Sequence, residues 1–317
     1  LLFKHLIGEN MLMCKPIFWI SACLLFIGGL YYSVKVFPKA FAILNVELKM
    51  DRESAFSKAE SLSDANNWGP KNYNQAATFY HDSRTQNFVE LDAGGSDKVV
   101  MLMKDHLYHF YTWKVRHYKE LEPNETIISF TPSGEFYGFK EILSENEKGA
   151  SLSQNDAREI AENFVQMNTS IALSNYKEIE ASEEVLPSER IDHTFVYERL
   201  DAVIGDGSFR LKIMVSGEKV SEIKHYIKVP ETFTRRFEEM RSANNTIASS
   251  ASMAMFLLYG FGGVIIGLFI MMRKRWVVWK QAMLWGTFVA VFGALGEINF
   301  WPLMWMYYPT ALSQQSF

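Results

Sequence analysis

The chain has 317 residues, a formal net charge of −4, two cysteines and 48% hydrophobic residues. Eight basic residues and two acids lie outside 40–246, which leaves that segment 24 basic and 34 acidic side chains, a net of −10. Phosphates repel such a surface, so it is neither a nucleic-acid binder nor a platform for anionic lipid. Both cysteines, Cys14 and Cys23, precede it, so its stability has to come from a packed core rather than from disulfides.

Residues 1–15 contain Lys4 and Lys15 and read as a cytoplasmic N-terminus. The run Pro16–Val34 is apolar and long enough to cross a bilayer, which places a first transmembrane helix over 16–36. It reads as an uncleaved anchor: the apolar stretch exceeds a signal-peptide core, and Tyr31-Tyr32-Ser33-Val34 lacks the small residues of a cleavage site.

The polar insert that follows carries an internal repeat, one half over 37–150 and the other over 151–230. Each half opens with a capped helix. Asp51 caps a helix with Ala55, Phe56, Ala59 and Leu62 on one face, and Ser153, with Asp156 three residues on, caps one with Ala157, Ile160, Ala161 and Phe164. Strands are predicted next: Tyr108–Tyr118, Thr126–Phe130 and Phe136–Ile142, then His193–Arg199, Phe209–Val215 and Val220–Val229. Pro132-Ser133-Gly134 and Ser216-Gly217 supply the hairpin turns. The expected fold is therefore an exported α+β domain, made of two helix-plus-β-meander repeats that resemble small PepSY-type domains, with three transmembrane helices.

Pro230 starts a juxtamembrane helix over 231–246, with Phe233, Phe237 and Met240 on one face. No breaker separates it from the second transmembrane helix, 247–272, so the two should form one rod. Arg273, Lys274, Arg275 and Lys280 make 273–280 a basic turn, which the positive-inside rule puts in the cytosol. A third transmembrane helix over 281–301 returns outward, and 302–317 is extracytoplasmic. This orientation agrees with the one given by the N-terminal anchor. Gly263 and Gly267, spaced for close helix contact, mark a packing face on the second span. Glu297 is the one ionisable residue within a predicted span and so a functional candidate, although Asn299, Trp301 and Pro302 beside it favour an interfacial position.

Catalytic patterns are sparse. His106, His109 and His117 fall in a strand-like segment where residues three apart point to opposite faces, so they read as strand histidines rather than metal ligands. Asp192-His193 has no identifiable nucleophile to serve. Gly94-Gly95 and Gly205-Asp206-Gly207 read as turns, not phosphate cradles, because neither opens a helix after a strand.

Several segments together carry a family resemblance: Met50-Asp51-Arg52-Glu53-Ser54-Ala55, Tyr111-Thr112-Trp113-Lys114-Val115-Arg116-His117, Phe130-Thr131-Pro132-Ser133-Gly134, Arg190 to Arg199, Val229-Pro230-Glu231-Thr232-Phe233, Asn299-Phe300-Trp301-Pro302 and Tyr308 to Ser313. With them the chain resembles the N-terminal extension of large bacterial CPBP-family intramembrane proteases, relatives of the CAAX-prenyl endopeptidases. The family's Glu-Glu-x-x-x-Arg motif is missing: Glu238-Glu239 is followed by Ala243 where Arg belongs, and Glu183-Glu184 fails similarly. The resemblance implies a regulatory or substrate-presenting part of a longer inner-membrane protein, with the catalytic bundle beyond Phe317 and no protease activity of its own. No cofactor is expected in this chain; a divalent metal would belong to that bundle. The expected partners are membrane lipid and a peptide or protein substrate, not nucleic acid. The alternative is a non-enzymatic sensor whose PepSY-like domain binds a peptide and signals through the rod.

Overall fold

The computed structural model describes residues 16–317, so the N-terminal segment 1–15, with Cys14 and the flanking Lys4 and Lys15, lies outside the described residues. Helix α1 (Pro16–Ala40) holds the first apolar run. The insert begins with α2 (Arg52–Asn66), where the Asp51 carboxylate accepts from Ser54 N at 2.8 Å. In α5 (Gln154–Asn168), Ser153 Oγ accepts from Asp156 N at 3.3 Å. In both helices the cap satisfies an otherwise orphaned backbone donor.

After α2 the chain forms β1 (Asn74–His81), α3 (Ser83–Asp92), α4 (Gly95–Lys104), β2 (Tyr111–Tyr118), β3 (Glu125–Phe130) and β4 (Phe136–Ile142). After α5 come β5 (Tyr176–Val185), β6 (Ile191–Arg199), β7 (Ser208–Ser216) and β8 (Lys219–Lys228). All eight strands join one antiparallel sheet in the order β1-β2-β3-β4-β8-β7-β6-β5. Each half is thus a helix followed by a four-stranded meander, and the halves meet where Phe139 pairs with Ile223 and Lys140 with Glu222. Helices α3 and α4 interrupt the first meander between β1 and β2. They and the first strand of each meander were not predicted.

The two repeat helices cover one sheet face. Ala55 and Ala59 of α2 and Ala157 and Ala161 of α5 have no exposed surface, and they pack with Val115, Ile128, Phe139, Phe195, Leu211 and Ile213. Alanine at these positions lets each helix axis approach the strands closely. Trp68, after α2, stacks on Phe139 with centroids 3.9 Å apart and also meets Phe164 of α5, so both halves share one core.

A second core ties the domain to its membrane helices. Phe88 of α3, Leu102 of α4, Phe110, Ile204 and Phe209 bury Ala42, two residues past α1, and Phe233 of α6 (Glu231–Met255). Of the predicted α6 face, Phe233 is buried, Phe237 packs beside it, and Met240 is left exposed. Helix α6 continues without a break through a π-helical stretch, Phe256–Ile266, into α7 (Gly267–Arg273), which makes the expected rod. A turn then leads to α8 (Trp279–Met304).

Three helices are long and apolar enough to span a membrane: Pro16–Phe37, Glu231–Arg273 and Trp279–Tyr307, and no part of their apolar windows is buried. Apolar surface left uncovered all round a helix belongs in lipid or against other membrane helices. Beyond α8 the chain turns back to the domain. Tyr308 is 1% exposed, wedged against Ala76 and Tyr118, and Arg116 donates through Nη1 to the carbonyls of Met306 and Tyr308 at 3.2 and 2.7 Å. The C-terminal end of α8 therefore lies on the same side of the spans as the sheet domain.

Candidate functional site

The sheet face opposite α2 and α5 is open at its centre and forms a cleft of about 420 Å³. Strand alternation sets its floor. In β2, Trp113 and Val115 turn to the helices, so Thr112 and Lys114 turn to the cleft. Lys114 pairs across to Ser129 of β3, and Ser129 to Gly138 of β4. Gly138 lies beside Lys224 of β8, and Lys224 pairs with Lys212 of β7. One cross-strand row thus reads lysine, serine, glycine, lysine, lysine. The small residues make a hollow with cations on both sides. Gly138 is fixed by close approach: a Cβ there would come 2.3 Å from the carbonyl oxygen of Ile223.

Lys212 is ion-paired with Glu222 at 2.8 Å, which neutralises one end of the row. Lys114, Lys224 and the neighbouring Lys140 have no ion pair among the described residues. Lys114 lies 3.3 Å over the Tyr80 ring, and Lys224 lies 5.9 Å over that of Tyr226. Burial lowers the pKa of Lys114, repulsion from Lys224 adds to the shift, and Asp82 opposes it. The Asp82 carboxylate is already occupied, capping α3 through Thr85 N at 3.2 Å and accepting the Tyr108 hydroxyl at 2.7 Å.

His109, Tyr137 and His225 form the far wall, with the Tyr137 ring 5.2 Å from His109 and 4.7 Å from His225. Behind them lies a second cavity of about 280 Å³, bordered by His106, Glu135, Tyr176 and Arg199. Burial pulls His109 down to about 4, helped by His106, and His225 down to about 4, helped by His109. Both are therefore neutral at physiological pH. The cleft offers cations, hydroxyls and aromatic faces, a set suited to holding a ligand.

The histidine reading needs correction. Strand β2 begins at Tyr111, so His106 and His109 lie in the preceding turn, where the left-handed φ of His106 (53°) brings the two rings to 5.6 Å on one side. Among the described residues no group of three or more His, Cys, Asp or Glu is placed to hold a metal ion. His117 is fully buried instead, bonded to Ser63 Oγ at 2.9 Å and stacked on Tyr73. Asp192 pairs with Arg190 at 2.9 Å and His193 Nε2 meets the Leu152 carbonyl at 3.0 Å, so they do not act as a pair. Gly95 does open a helix, α4, but it follows α3 rather than a strand.

The residues singled out in the membrane region lie apart from this cleft. Arg273 ends α7, Lys274 and Arg275 form the turn, and Lys280 is in the first turn of α8, all exposed. A Cβ on Gly267 would meet nothing within 4 Å, and one on Gly263 only Tyr259 of its own helix, so that packing face is free of neighbours among the described residues. Glu297 is exposed in α8, in helical register with Gly286, Ala290 and Gly293. Lys114, Lys140, Lys224 and His225 were missed. Polar alternation in β2 signalled a wet face, but nothing local says which distant strands extend it.

Comparison with known proteins returns no matching family model, no matching curated protein and no matching solved structure.

Proposed function

We propose that this chain is a membrane-anchored peptide-binding module, whose cleft holds a peptide or protein segment beside the outer ends of the membrane helices. The observation that carries this reading is where the cleft sits. Tyr80 on its rim belongs to β1, and Ala76 of the same strand packs against Trp305, Met306 and Tyr308 at the end of the third span. Asp82 caps α3, whose Arg84 donates to Thr234 of α6 at 3.1 Å. An occupant would therefore adjoin two membrane helices at once. In this reading the N-terminus and the Arg273–Lys280 turn are cytosolic, in a bacterial inner membrane, with the sheet domain outside. The resemblance to CPBP-family proteases extends it: the module would present or restrict substrate for an intramembrane endopeptidase core.

A photo-reactive side chain at position 226, in the cleft, tests the site in chain reconstituted into neutral nanodiscs with a defined pool of extended peptides. Crosslinks at 226 and none at 177 on the β5 edge are expected. Crosslinks confined to 177 would move the binding to the sheet edge, and none at either position would end the reading.

The second reading, a non-enzymatic sensor, draws on the unbroken helix from Glu231 to Arg273. A rod of 43 residues carries a displacement at the sheet to the far side of a membrane, and its π-helical stretch is a form common at functional sites. Sequencing the gene past the codon for Phe317 would separate the two readings. Further apolar segments with Glu-Glu-x-x-x-Arg would fit the protease, and a cytosolic signalling domain would fit the sensor.

A further inference from the structure

The geometry points to an acidic peptide as the occupant of the cleft, with a Glu or Asp carboxylate bridging Lys114 and Lys224 above Gly138. This rests on the peptide-binding reading and specifies its ligand class. Lys114 and Lys224 stand three strand steps apart in one row, about 14 Å between backbones. Ser129 and Gly138 between them put only one hydroxymethyl group on the floor of the row, and flexible four-carbon stems let both ammonium groups turn inward. Lys140 adds a third cation from the next row, where it pairs with Glu222 in register. Of the carboxylates lining the cleft, Glu222 is neutralised by Lys212, and Asp82 is engaged by Thr85 N and the Tyr108 hydroxyl. Half-buried Lys114 and exposed Lys224 repel each other across the hollow without a counterion, and a bound carboxylate would turn that repulsion into charge-assisted hydrogen bonds. The Tyr80 and Tyr226 rings beside the lysines supply apolar faces for the adjoining peptide residues.

A lipid headgroup would offer similar anionic chemistry, but its position is less suitable. Tyr226 lies at the β8 end, four residues before Pro230 and the start of α6. The 16 residues from Glu231 to Thr246 separate that point from the apolar run, and an upright helix of that length rises about 24 Å. Along α6 that length exceeds the headgroup layer, which adds only about 5–7 Å on each side of the hydrocarbon; where the third span ends beside β1 the domain lies nearer the membrane, and there its net charge of −10 opposes anionic lipid.

The test uses the reconstituted chain in phosphatidylcholine nanodiscs and fluorescence anisotropy with two labelled decapeptides, one with alternating Glu and its isostere with Gln. The Glu peptide should bind about tenfold or more tightly than the Gln peptide. Lys114→Gln with Lys224→Gln should abolish that preference, while Lys114→Arg with Lys224→Arg should keep it; circular dichroism of each variant checks folding. Equal affinity for the two peptides, or a preference unchanged by the Gln variants, would overturn the carboxylate bridge and leave peptide binding standing. Failure of both peptides to bind would remove the peptide reading itself. Phosphatidylglycerol nanodiscs and inorganic phosphate are the remaining arms. Loss of the Glu peptide's binding with either one, at unchanged ionic strength, would assign the site to phosphate and overturn the proposal.

Discussion

Arg116 bonds to the carbonyl oxygen of Tyr308 at 2.7 Å across 192 positions of sequence, while its guanidinium also pairs with Glu125. This contact fastens the C-terminal end of the third span to the second strand of the sheet. Lys114, two residues earlier on the same strand face, lines the cleft. The clamp and the cleft therefore share one strand.

Arg116→Ala should release residues 305–317 and leave Glu125, whose side chain is 16% exposed, without its partner. Removing one member of a mostly buried pair costs about 3 kcal/mol. Limited proteolysis with chymotrypsin should then cut after Tyr307 in the variant and not in the parent, with a lowered thermal midpoint. Equal protection in both would show that the clamp does not hold the segment.

Gly138→Ala should weaken the joint between the two meanders. Its Cβ meets backbone, the Ile223 carbonyl at 2.3 Å, and backbone cannot swing aside as a side chain does. A forced shift of this kind costs about 1–3 kcal/mol. Hydrogen exchange should speed up selectively in β4 and β8. Exchange that rises uniformly over the sheet, or not at all, would contradict a local joint.

Acid should destabilise the domain through His117. Burial pulls this histidine from its ordinary value near 6.5 down to about 4, so the fold holds it neutral. Between those values the unfolded chain binds the proton and the folded chain does not. Stability from this group is therefore complete above pH 6.5 and is lost as pH falls toward 4, at about 1.4 kcal/mol per pH unit at most. His109 and His225 act with the same sign. Thermal midpoints between pH 7.5 and 4.5 should fall accordingly, and less steeply in His117→Gln. A flat profile would show that these histidines take up protons in the fold as readily as in the unfolded chain.

Topology is open to direct labelling. With Cys14 and Cys23 replaced, a cysteine at Glu145 or Glu184, both exposed, should react with an impermeant maleimide on intact cells. A cysteine at Trp276, exposed in the basic turn, should react only after permeabilisation. The reverse pattern would invert the proposed orientation.

Much of the architecture was legible because its signals are local. The caps at Asp51 and Ser153, the buried Ala pairs one helical turn apart and the turns at Gly134 and Gly217 all stand where the sequence put them, as do the three apolar helices. The missed elements lacked such signals. β5 is an edge strand carrying Glu178, Glu180, Glu183 and Glu184, and charge is what an exposed edge tolerates, so it resembles a loop. β1 owes its place to pairing with β2, beyond the intervening α3 and α4. The cleft was least legible of all, since its row draws Lys114, Ser129, Gly138 and Lys224 from strands that meet only when the two halves join.

Covalent lysine footprinting of the reconstituted chain, with and without the Glu-bearing peptide, tests the central claim most directly. The account predicts that the peptide slows acylation of Lys114, Lys140 and Lys224 and leaves Lys49, Lys98 and Lys177 unchanged. Protection of Lys177 on the β5 edge with Lys114 and Lys224 still reactive would contradict it.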